Sequence, residues 1–540
     1  MMWSQHYTPI AESLGASALV AALPVFALLY LLGVKRKPAW AASVAGLGAA
    51  VAVALLCYRM PPVTMLSTIG YGAATGLFPI GWVVFAAILL YRVTVETGKF
   101  EIVKDSIGSL TADRRLQALL IAFAFGAFIE GAAGFGTPVA VAAAMLTGLG
   151  FSAYYAAGIC LLANTAPVAF GSIGIPILML HKVTDLPMDR LSATVGRICA
   201  PVSLIIPAYL MLVMCGWRGL RGVLLGTAVC GVSFASVQFL VSNFVGPQLT
   251  DILSSLAAIA SLVALFLVWK PKDGFQFEGD ASAPTAARRH SASELALAWM
   301  PYGLLVVFVL LWGWEPMRVL LEHRSVAFSW PALHEAIQRM PPVVPAPAPY
   351  PAPYNFNWLS ASGSACFLAA ILSAGLLGMS PRRFASVLWK TAKQLLVPEL
   401  TIAAVLALAF LMNYSGATAT LGLAFAATGV LYPFFSALLG WLGVFLTGSD
   451  TSANALFGNL QVITAGRLHL SPVLTAAANS SGGVMGKMIS LQSIAVAAAA
   501  AGLASREESR LFRFTLRHSI ILASLIGLIT ALYAYTGWAG

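Results

Sequence analysis

Three charged residues stand in stretches of the chain that are otherwise apolar and rich in glycine. Glu130 opens EGAAGFGTPVAVA, Asp450 lies in FLTGSDTSANALFGNLQ, and Lys487 follows GGVMG. A carboxyl group removed from water favours its neutral form, which suits a group that loads a proton on one side of a membrane and releases it on the other. We therefore predict proton coupling at Glu130 and Asp450, and pairing of Lys487 with a substrate carboxylate. The open alternatives are carboxylates that only hold a helix break, and a structural pair between Lys487 and Asp450.

Small polar residues and glycines beside these charges could hold an anion. A carboxylate that enters a membrane needs donors to replace its water, and amides, hydroxyls and the N–H groups at broken helix ends supply them. Ordinary helix packing and capping are the alternative use of such residues. The candidate substrate-binding residues are Gly131, Gly134, Thr137, Asn164, Thr165, Ser452, Asn454, Asn479, Ser480, Ser481 and Lys487.

Two interrupted stretches must position these residues. Residues 128–176 are apolar enough for membrane helix, yet glycine, proline and small polar residues interrupt them. Irregular backbone at membrane depth survives only inside protein or along a polar cavity. Residues 445–497 echo this pattern, with Asn164 aligned on Asn479 and Gly131 on Gly448, which predicts an internal repeat with a second break at Asn479. Chance likeness between helices rich in glycine and alanine is the alternative.

Composition excludes an ordinary soluble protein. Of the 540 residues, 59% are hydrophobic and only 9% are charged, against roughly 25% charged in soluble domains. Apolar runs of membrane-spanning length recur along the chain, which predicts an all-α, polytopic membrane protein with about 12 transmembrane helices. We expect two pseudo-symmetric halves that contain broken helices or re-entrant hairpins. Six cysteines without CxxC spacing predict neither disulfides nor a metal site, and no motif indicates a cofactor.

Charge and loop composition predict the topology. The net charge of +11 lies in short clusters between apolar spans, which indicates cytoplasmic loops rather than nucleic-acid binding. We predict a first membrane half (1–269), a cytoplasmic linker (270–294) and a second half (295–540), with an outer proline-rich loop (315–358) that is extended and stiff. The first apolar run lacks the preceding charges of a secretory signal. It should therefore be retained, with both chain termini on the outer side.

Four stretches together resemble the L-lactate permease family: EGAAGFGTPVAVA, LLANTAPVAFGSIGIPI, GSDTSANALFGNLQ and AANSSGGVMGKMISLQSIAVA. The resemblance extends over essentially the whole chain. It implies a secondary transporter of the bacterial inner membrane that carries lactate and glycolate with protons. A wider group of anion carriers with paired hairpins and Ser-Asn-Thr motifs suggests, by analogy, a moving transport domain and a static scaffold. Here alanine replaces the serine of both motifs, at Ala163 and Ala478, which puts a sodium-ligand role in doubt.

Other functions stay open at this level. A sodium-coupled carrier of dicarboxylates or other organic anions is the nearest alternative, and a passive channel is another. An intramembrane enzyme is disfavoured because no HExxH or GxSxG motif is present. The expected partners are a small monocarboxylate, the proton and the lipid bilayer, with a homodimer left open.

Overall fold

The computed structural model describes residues 2–35, 37–134, 136–271, 275, 290–503 and 507–537. Most of the predicted linker 270–294 lies outside the described residues. Within the described part, eleven helices are long and apolar enough to cross a membrane. A twelfth is obtained if the pair Ala153–Ala163 and Val168–Thr184, bent by 64°, counts as one span. The prediction of an all-α membrane protein with about 12 spans is confirmed.

Long apolar runs form helices because lipid offers no hydrogen bonds to the backbone, so each segment must satisfy its own N–H and C=O groups. In the first part of the chain the helices are α1 (Leu14–Gly33), α2 (Ala39–Leu56), α3 (Pro62–Thr75), α4 (Trp82–Glu96), α5 (Lys99–Gly108), α6 (Arg114–Ala118), α7 (Gly126–Ala132), α8 (Thr137–Gly148), α9 (Ala153–Ala163), α10 (Gly171–Thr184), α11 (Met188–Phe244) and α12 (Thr250–Val268).

The second part of the chain continues the helical pattern after the long polar stretch. Its helices are α13 (Ala292–Gly313), α14 (Glu315–Glu322), α15 (Ser362–Leu376), α16 (Pro381–Ser415), α17 (Ala417–Phe425), α18 (Tyr432–Thr447), α19 (Asp450–Arg467), α20 (Pro472–Lys487), α21 (Leu491–Ala501) and α22 (Glu508–Thr536).

The first broken stretch forms a re-entrant hairpin, here called hairpin A. Its rising arm is Arg114–Ala132, in which a π-helical segment, Leu119–Phe125, joins α6 to α7. Its tip contains Ala133, Gly134 and Gly136, and α8 is the returning arm. Arg114 donates a hydrogen bond from Nη1 to the carbonyl of Leu149, which brings the two ends of the hairpin together. The rising arm is wholly buried, so this arm lies inside the protein rather than against lipid.

The second broken stretch forms hairpin B, made of α18, a tip at Gly448 and Ser449, and α19. Gly448 ends α18 with φ +74°, and Ser449 caps α19 by accepting a hydrogen bond from the N–H of Ser452 at 3.2 Å. A left-handed glycine followed by a serine cap is a strong local signal for ending one helix and starting the next. α20 then runs parallel to α18 and returns to the level of this tip.

The two hairpins enter from opposite ends of the protein, and both tips contact the start of α10. α10 starts beside the tip of hairpin A and runs along hairpin B toward its base, since Asn454 donates to the carbonyl of Pro176 and Gly458 packs on Leu180. α11 continues from α10 and folds back at Gly216. Its second arm packs Gly226 against Leu116, at the base of hairpin A. Paired hairpins of opposite orientation are the arrangement expected of inverted repeats in transporters.

A small β-structure, here called the cap, occupies most of the loop that was predicted to be an extended linker. Its strands are β1 (Trp3–Ser4), β2 (Val326–Ser329), β3 (Ile337–Arg339), β4 (Ala348–Pro349) and β5 (Pro353–Phe356). β2 pairs antiparallel with β5, while β3 pairs with β4 and, in parallel, with the N-terminal strand β1. The cap docks on α3, where Ser67 and Tyr71 donate hydrogen bonds to its carbonyls. The loop is therefore folded against the helices.

Candidate substrate and proton site

Glu130 lies in the last turn of α7, just before the tip of hairpin A, and is 4% exposed. Its Oε2 accepts a hydrogen bond from Nδ2 of Asn164 at 3.2 Å. Its other oxygen, Oε1, lies so close to Gly171 that a Cβ at this position would be only 2.6 Å away. The carboxyl group is therefore held between the tip of hairpin A and the break between α9 and α10.

Asn164 and Thr165 lie in this break, but of the two only Asn164 forms a hydrogen bond with the charged candidate Glu130. Asn164 is the C-terminal cap residue of α9, and its buried Oδ1 has no hydrogen-bond partner among the described residues. Thr165 donates to the carbonyl of Leu162 at 2.8 Å, one turn earlier in the same helix. Thus Asn164 leaves an acceptor available at the site, while the bond of Thr165 is a local cap.

Asp450 starts α19 at the tip of hairpin B and is the centre of a second polar cluster. Its Oδ2 accepts hydrogen bonds from Ser480 Oγ at 2.6 Å and from Asn454 Nδ2 at 3.4 Å. Its buried Oδ1 has no partner among the described side chains and backbone groups. The charge of Glu130 acts on Asp450, so the two predicted coupling carboxyls belong to one electrostatic cluster.

Asn479 extends this cluster away from the tip. It donates from Nδ2 to Asn454 Oδ1 at 2.9 Å and accepts from Gln461 at 3.1 Å, and Tyr432 donates to Gln461 at 2.6 Å. The predicted helix break at Asn479 is wrong, because α20 runs through residues 472–487 without interruption. The side chain of Asn479 forms its hydrogen bonds with Asn454 and Gln461 of α19, so the helix backbone can continue without a break. The chain breaks later, at residues 488–490.

Lys487 ends α20 beside the tip of hairpin B. Its Nζ donates a hydrogen bond of 2.7 Å to the carbonyl of Gly448, and its charge acts on both Glu130 and Asp450. An ammonium group carries three donor hydrogens, and this bond uses one of them. The lysine therefore joins the two carboxyl clusters and keeps donor capacity for an anion.

The remaining predicted residues occupy varied positions around the two tips. Gly131 packs against α12, and Gly134, with φ +58°, faces the hydroxyl of Ser172 across the tip of hairpin A. Thr137 and Ser452 are partly exposed in the first turns of α8 and α19. Ser481 is buried beside the thiol of Cys199. A Cβ on Gly134 would also lie 3.5 Å from Glu130 Oε1, so this glycine borders the carboxyl group.

A left-handed turn marks the start of α10. Ser172, Ile173 and Gly174 have φ values of +47°, +60° and +74°, and the first two are not glycine. Each non-glycine residue in this region costs roughly 1–2 kcal/mol, and such strain clusters at functional sites. Ser172 Oγ donates to the carbonyl of Ala133 in the tip of hairpin A at 3.2 Å. The strained turn is thereby fixed against the residues next to Glu130.

One buried acid was missed by the sequence-based prediction. Asp251 lies in the first turn of α12, is 1% exposed, and is affected by the charge of Glu130. The sequence signal for Asp251 is weak, because the residue stands at the start of its apolar run, where an acid is ordinarily interfacial. Three acids and one lysine therefore belong to one cluster beside the two hairpin tips. Such a cluster can bind a small anion and exchange protons.

Comparison with known proteins matches residues 17–537 to the family described as L-lactate permease. The chain is 47% identical over 557 aligned positions to the L-lactate permease of Bacillus subtilis (strain 168), covering 98% of both chains. It is 44% identical over 551 positions to the glycolate permease GlcA of Escherichia coli (strain K12), covering 99% of this chain and 98% of that one. Among solved structures, Neisseria gonorrhoeae MtrF gives a TM-score of 0.44 at 12% identity, over 87% of this chain and 83% of that one.

Proposed function

The chain belongs to the L-lactate permease family, and from this premise we propose that it imports L-lactate and related 2-hydroxy monocarboxylates such as glycolate by proton symport. The relatives are named as permeases, which are transporters rather than enzymes. The observation that carries the proposal is the position of Lys487, whose ammonium group bonds to the tip of hairpin B and acts on the carboxyls of both hairpins.

The substrate offers one carboxylate and one hydroxyl group, and the site has a complement for each. The carboxylate of lactate pairs with Lys487, because a charged hydrogen bond away from water is about twice as strong as a neutral one. The 2-hydroxyl group donates to Asn164 Oδ1, a buried acceptor without a partner among the described residues. Leaving such an acceptor unsatisfied costs free energy, so a substrate that supplies a donor is favoured over one that does not.

The proton binds at Glu130 and Asp450. Both carboxyls are buried, and Lys487 acts on both. When a substrate anion takes up the charge of Lys487, the nearby carboxylates lose part of their stabilisation, and protonation relieves the like-charge repulsion. Substrate and proton therefore bind together, which is the thermodynamic requirement for symport.

The two hairpins provide a route to each side of the membrane. Because both tips border the site and their bases lie at opposite ends, a rocking movement of one hairpin against the other would expose the site alternately, as in inverted-repeat carriers. We place the protein in the bacterial inner membrane with the cap and both chain termini outside. The pairing of β1 with β3 supports a shared side for the N-terminus and the cap.

The test is equilibrium binding of lactate, glycolate, pyruvate and succinate to purified protein at two pH values, with and without sodium. The proposal expects lactate and glycolate to bind more tightly than pyruvate, which lacks the hydroxyl donor. It also expects tighter binding at the lower pH without a sodium requirement. Tight, sodium-dependent binding of succinate would instead support a sodium-coupled dicarboxylate carrier.

A further inference from the structure

Asp251 is a buried carboxyl group whose two oxygens, Oδ1 and Oδ2, both lack a hydrogen-bond partner among the described residues. Its side chain lies in the first turn of α12 and is almost fully shielded. A buried polar group without a partner carries a large desolvation cost, and an ionised one carries more. The proton and substrate roles proposed above leave this group unused.

The position of Asp251 depends on a close approach between two helices. A Cβ on Gly131 would lie 2.8 Å from Cβ of Asp251 and 3.1 Å from the backbone nitrogen of Ile252. Only glycine at position 131 therefore lets the start of α12 reach α7. Since Gly131 directly follows Glu130, this contact brings the carboxyls of Asp251 and Glu130 into one electrostatic neighbourhood.

The groups that face Asp251 contain no compensating cation among the described residues. Glu130 faces it from α7, and the Cys199 thiol, which also feels its charge, faces it from α11. The π-helical segment Leu119–Phe125 has no titratable side chain, and His181 and Lys182 of α10 lie at the far end of that helix. Lys487 acts on Glu130 and Asp450. The field at Asp251 is therefore dominated by another carboxyl group.

We propose that Asp251 and Glu130 form an electrostatically coupled carboxyl pair that takes up the transported proton as a unit. Two neighbouring carboxyls in a shielded site cannot both remain ionised without large repulsion, so they titrate as a unit and share one proton. The proton that the proposed symport places at Glu130, which accepts a hydrogen bond from Asn164, is therefore shared with Asp251. This inference rests on the proposed proton symport and extends it by naming the second member of the proton site.

The test compares wild type, Asp251→Asn and Asp251→Ser in proteoliposomes. Asp189→Asn is the matched control, since Asp189 is an exposed acid in the first turn of α11. Two activities are measured: exchange of labelled lactate at equal pH, which needs no net proton movement, and accumulation driven by a pH gradient. Both Asp251 variants should keep exchange within about threefold of wild type while their accumulation ratio falls to about one. The control should keep both activities.

Several outcomes separate this inference from the proposed function. If wild type accumulates lactate with a pH gradient and either Asp251 variant does so equally well, the carboxyl pair is refuted and Asp251 is only the acid that favours the start of α12. If wild type itself ignores the pH gradient, the proposed symport fails first. Infrared difference spectra on lactate binding give an independent readout. A carbonyl band of a protonated carboxyl should change in wild type and be lost in Asp251→Asn, and an unchanged band would overturn the pair.

Discussion

Asn164 donates a hydrogen bond of 3.2 Å to Glu130, and this bond joins the tip of hairpin A to the break between α9 and α10. The two residues are 34 positions apart in the chain, so the contact exists only because hairpin A folds back. It places a carboxyl group next to an amide whose oxygen has no hydrogen-bond partner in the described part of the chain. The proposed coupling of proton and substrate depends on this relationship.

Replacing Glu130 should separate exchange from accumulation. Glu130→Gln removes the titrating group but keeps the shape and an acceptor for Asn164. We expect lactate exchange between loaded vesicles to continue, while accumulation driven by a pH gradient is lost. Labelled uptake under both conditions measures this, with Glu101→Gln on the exposed face of α5 as control. Equal loss of both activities would return Glu130 to a structural role.

Removing the ammonium group of Lys487 should weaken substrate binding. A hydrogen bond to a charged group contributes about 1.5–3 kcal/mol, so Lys487→Ala should raise the dissociation constant for lactate roughly 10- to 100-fold. Direct binding to purified protein is the appropriate measurement, because transport rates mix binding with movement. Lys393→Ala, on an exposed face of α16, should leave binding unchanged. If Lys487→Ala binds lactate as tightly as wild type, Lys487 does not contact the substrate.

The contact between Gly171 and Glu130 offers a test that substitutes no polar residue. A Cβ at position 171 would lie 2.6 Å from Glu130 Oε1, so Gly171→Ala must displace the carboxyl group. We expect transport to fall by at least about tenfold, which corresponds to 1.4 kcal/mol, with normal expression. Gly148→Ala is the control, because a Cβ there meets nothing within 4 Å. Full activity of Gly171→Ala would show that the position of Glu130 is not critical.

The N-terminal segment and the cap should separate more easily at alkaline pH. Tyr7 donates to Gln5 and accepts from the N–H of Met340, and burial raises the pKa of Tyr7. Below about pH 10 the hydroxyl is protonated in folded and unfolded protein alike. Above that pH, Tyr7 ionises in the unfolded chain before it ionises in the folded protein. The contribution of Tyr7 to the free energy of unfolding therefore declines as pH rises.

The corresponding measurement is the thermal unfolding temperature in detergent at pH 8 and at about pH 10.5. The decrease between the two pH values should be smaller for Tyr7→Phe than for wild type, because the variant has no hydroxyl to ionise. Tyr30→Phe changes an exposed tyrosine of α1 and should behave like wild type. A decrease of the same size in all three proteins would remove Tyr7 as the source of the alkaline effect.

The sequence predicts the helical spans well because their signal is local. An apolar run of about 20 residues must form a helix in lipid whatever surrounds it, and Glu130 and Lys487 stand out inside such runs. The expected break at Asn479 fails for a non-local reason. Its polar side chain is satisfied by Asn454 and Gln461 on a neighbouring helix, and no pattern within 475–497 reveals that.

Asp251 and the cap show the same limit. Asp251 stands at the start of its apolar run, where an acid is ordinarily interfacial. It becomes buried because Gly131 admits α12 and because the preceding loop packs Pro247 onto Gly174. The proline-rich loop is predicted to be an extended linker, yet its strand β3 pairs with the N-terminal strand β1, more than 300 positions away. Pairings of that range are set by the assembled fold.

The most direct test of the central claim is uptake of labelled lactate into proteoliposomes that hold the purified protein, under an imposed pH gradient and without sodium. Proton symport predicts transient accumulation above the external concentration, abolished by a protonophore. Accumulation that follows a sodium gradient and is unaffected by the protonophore would contradict it.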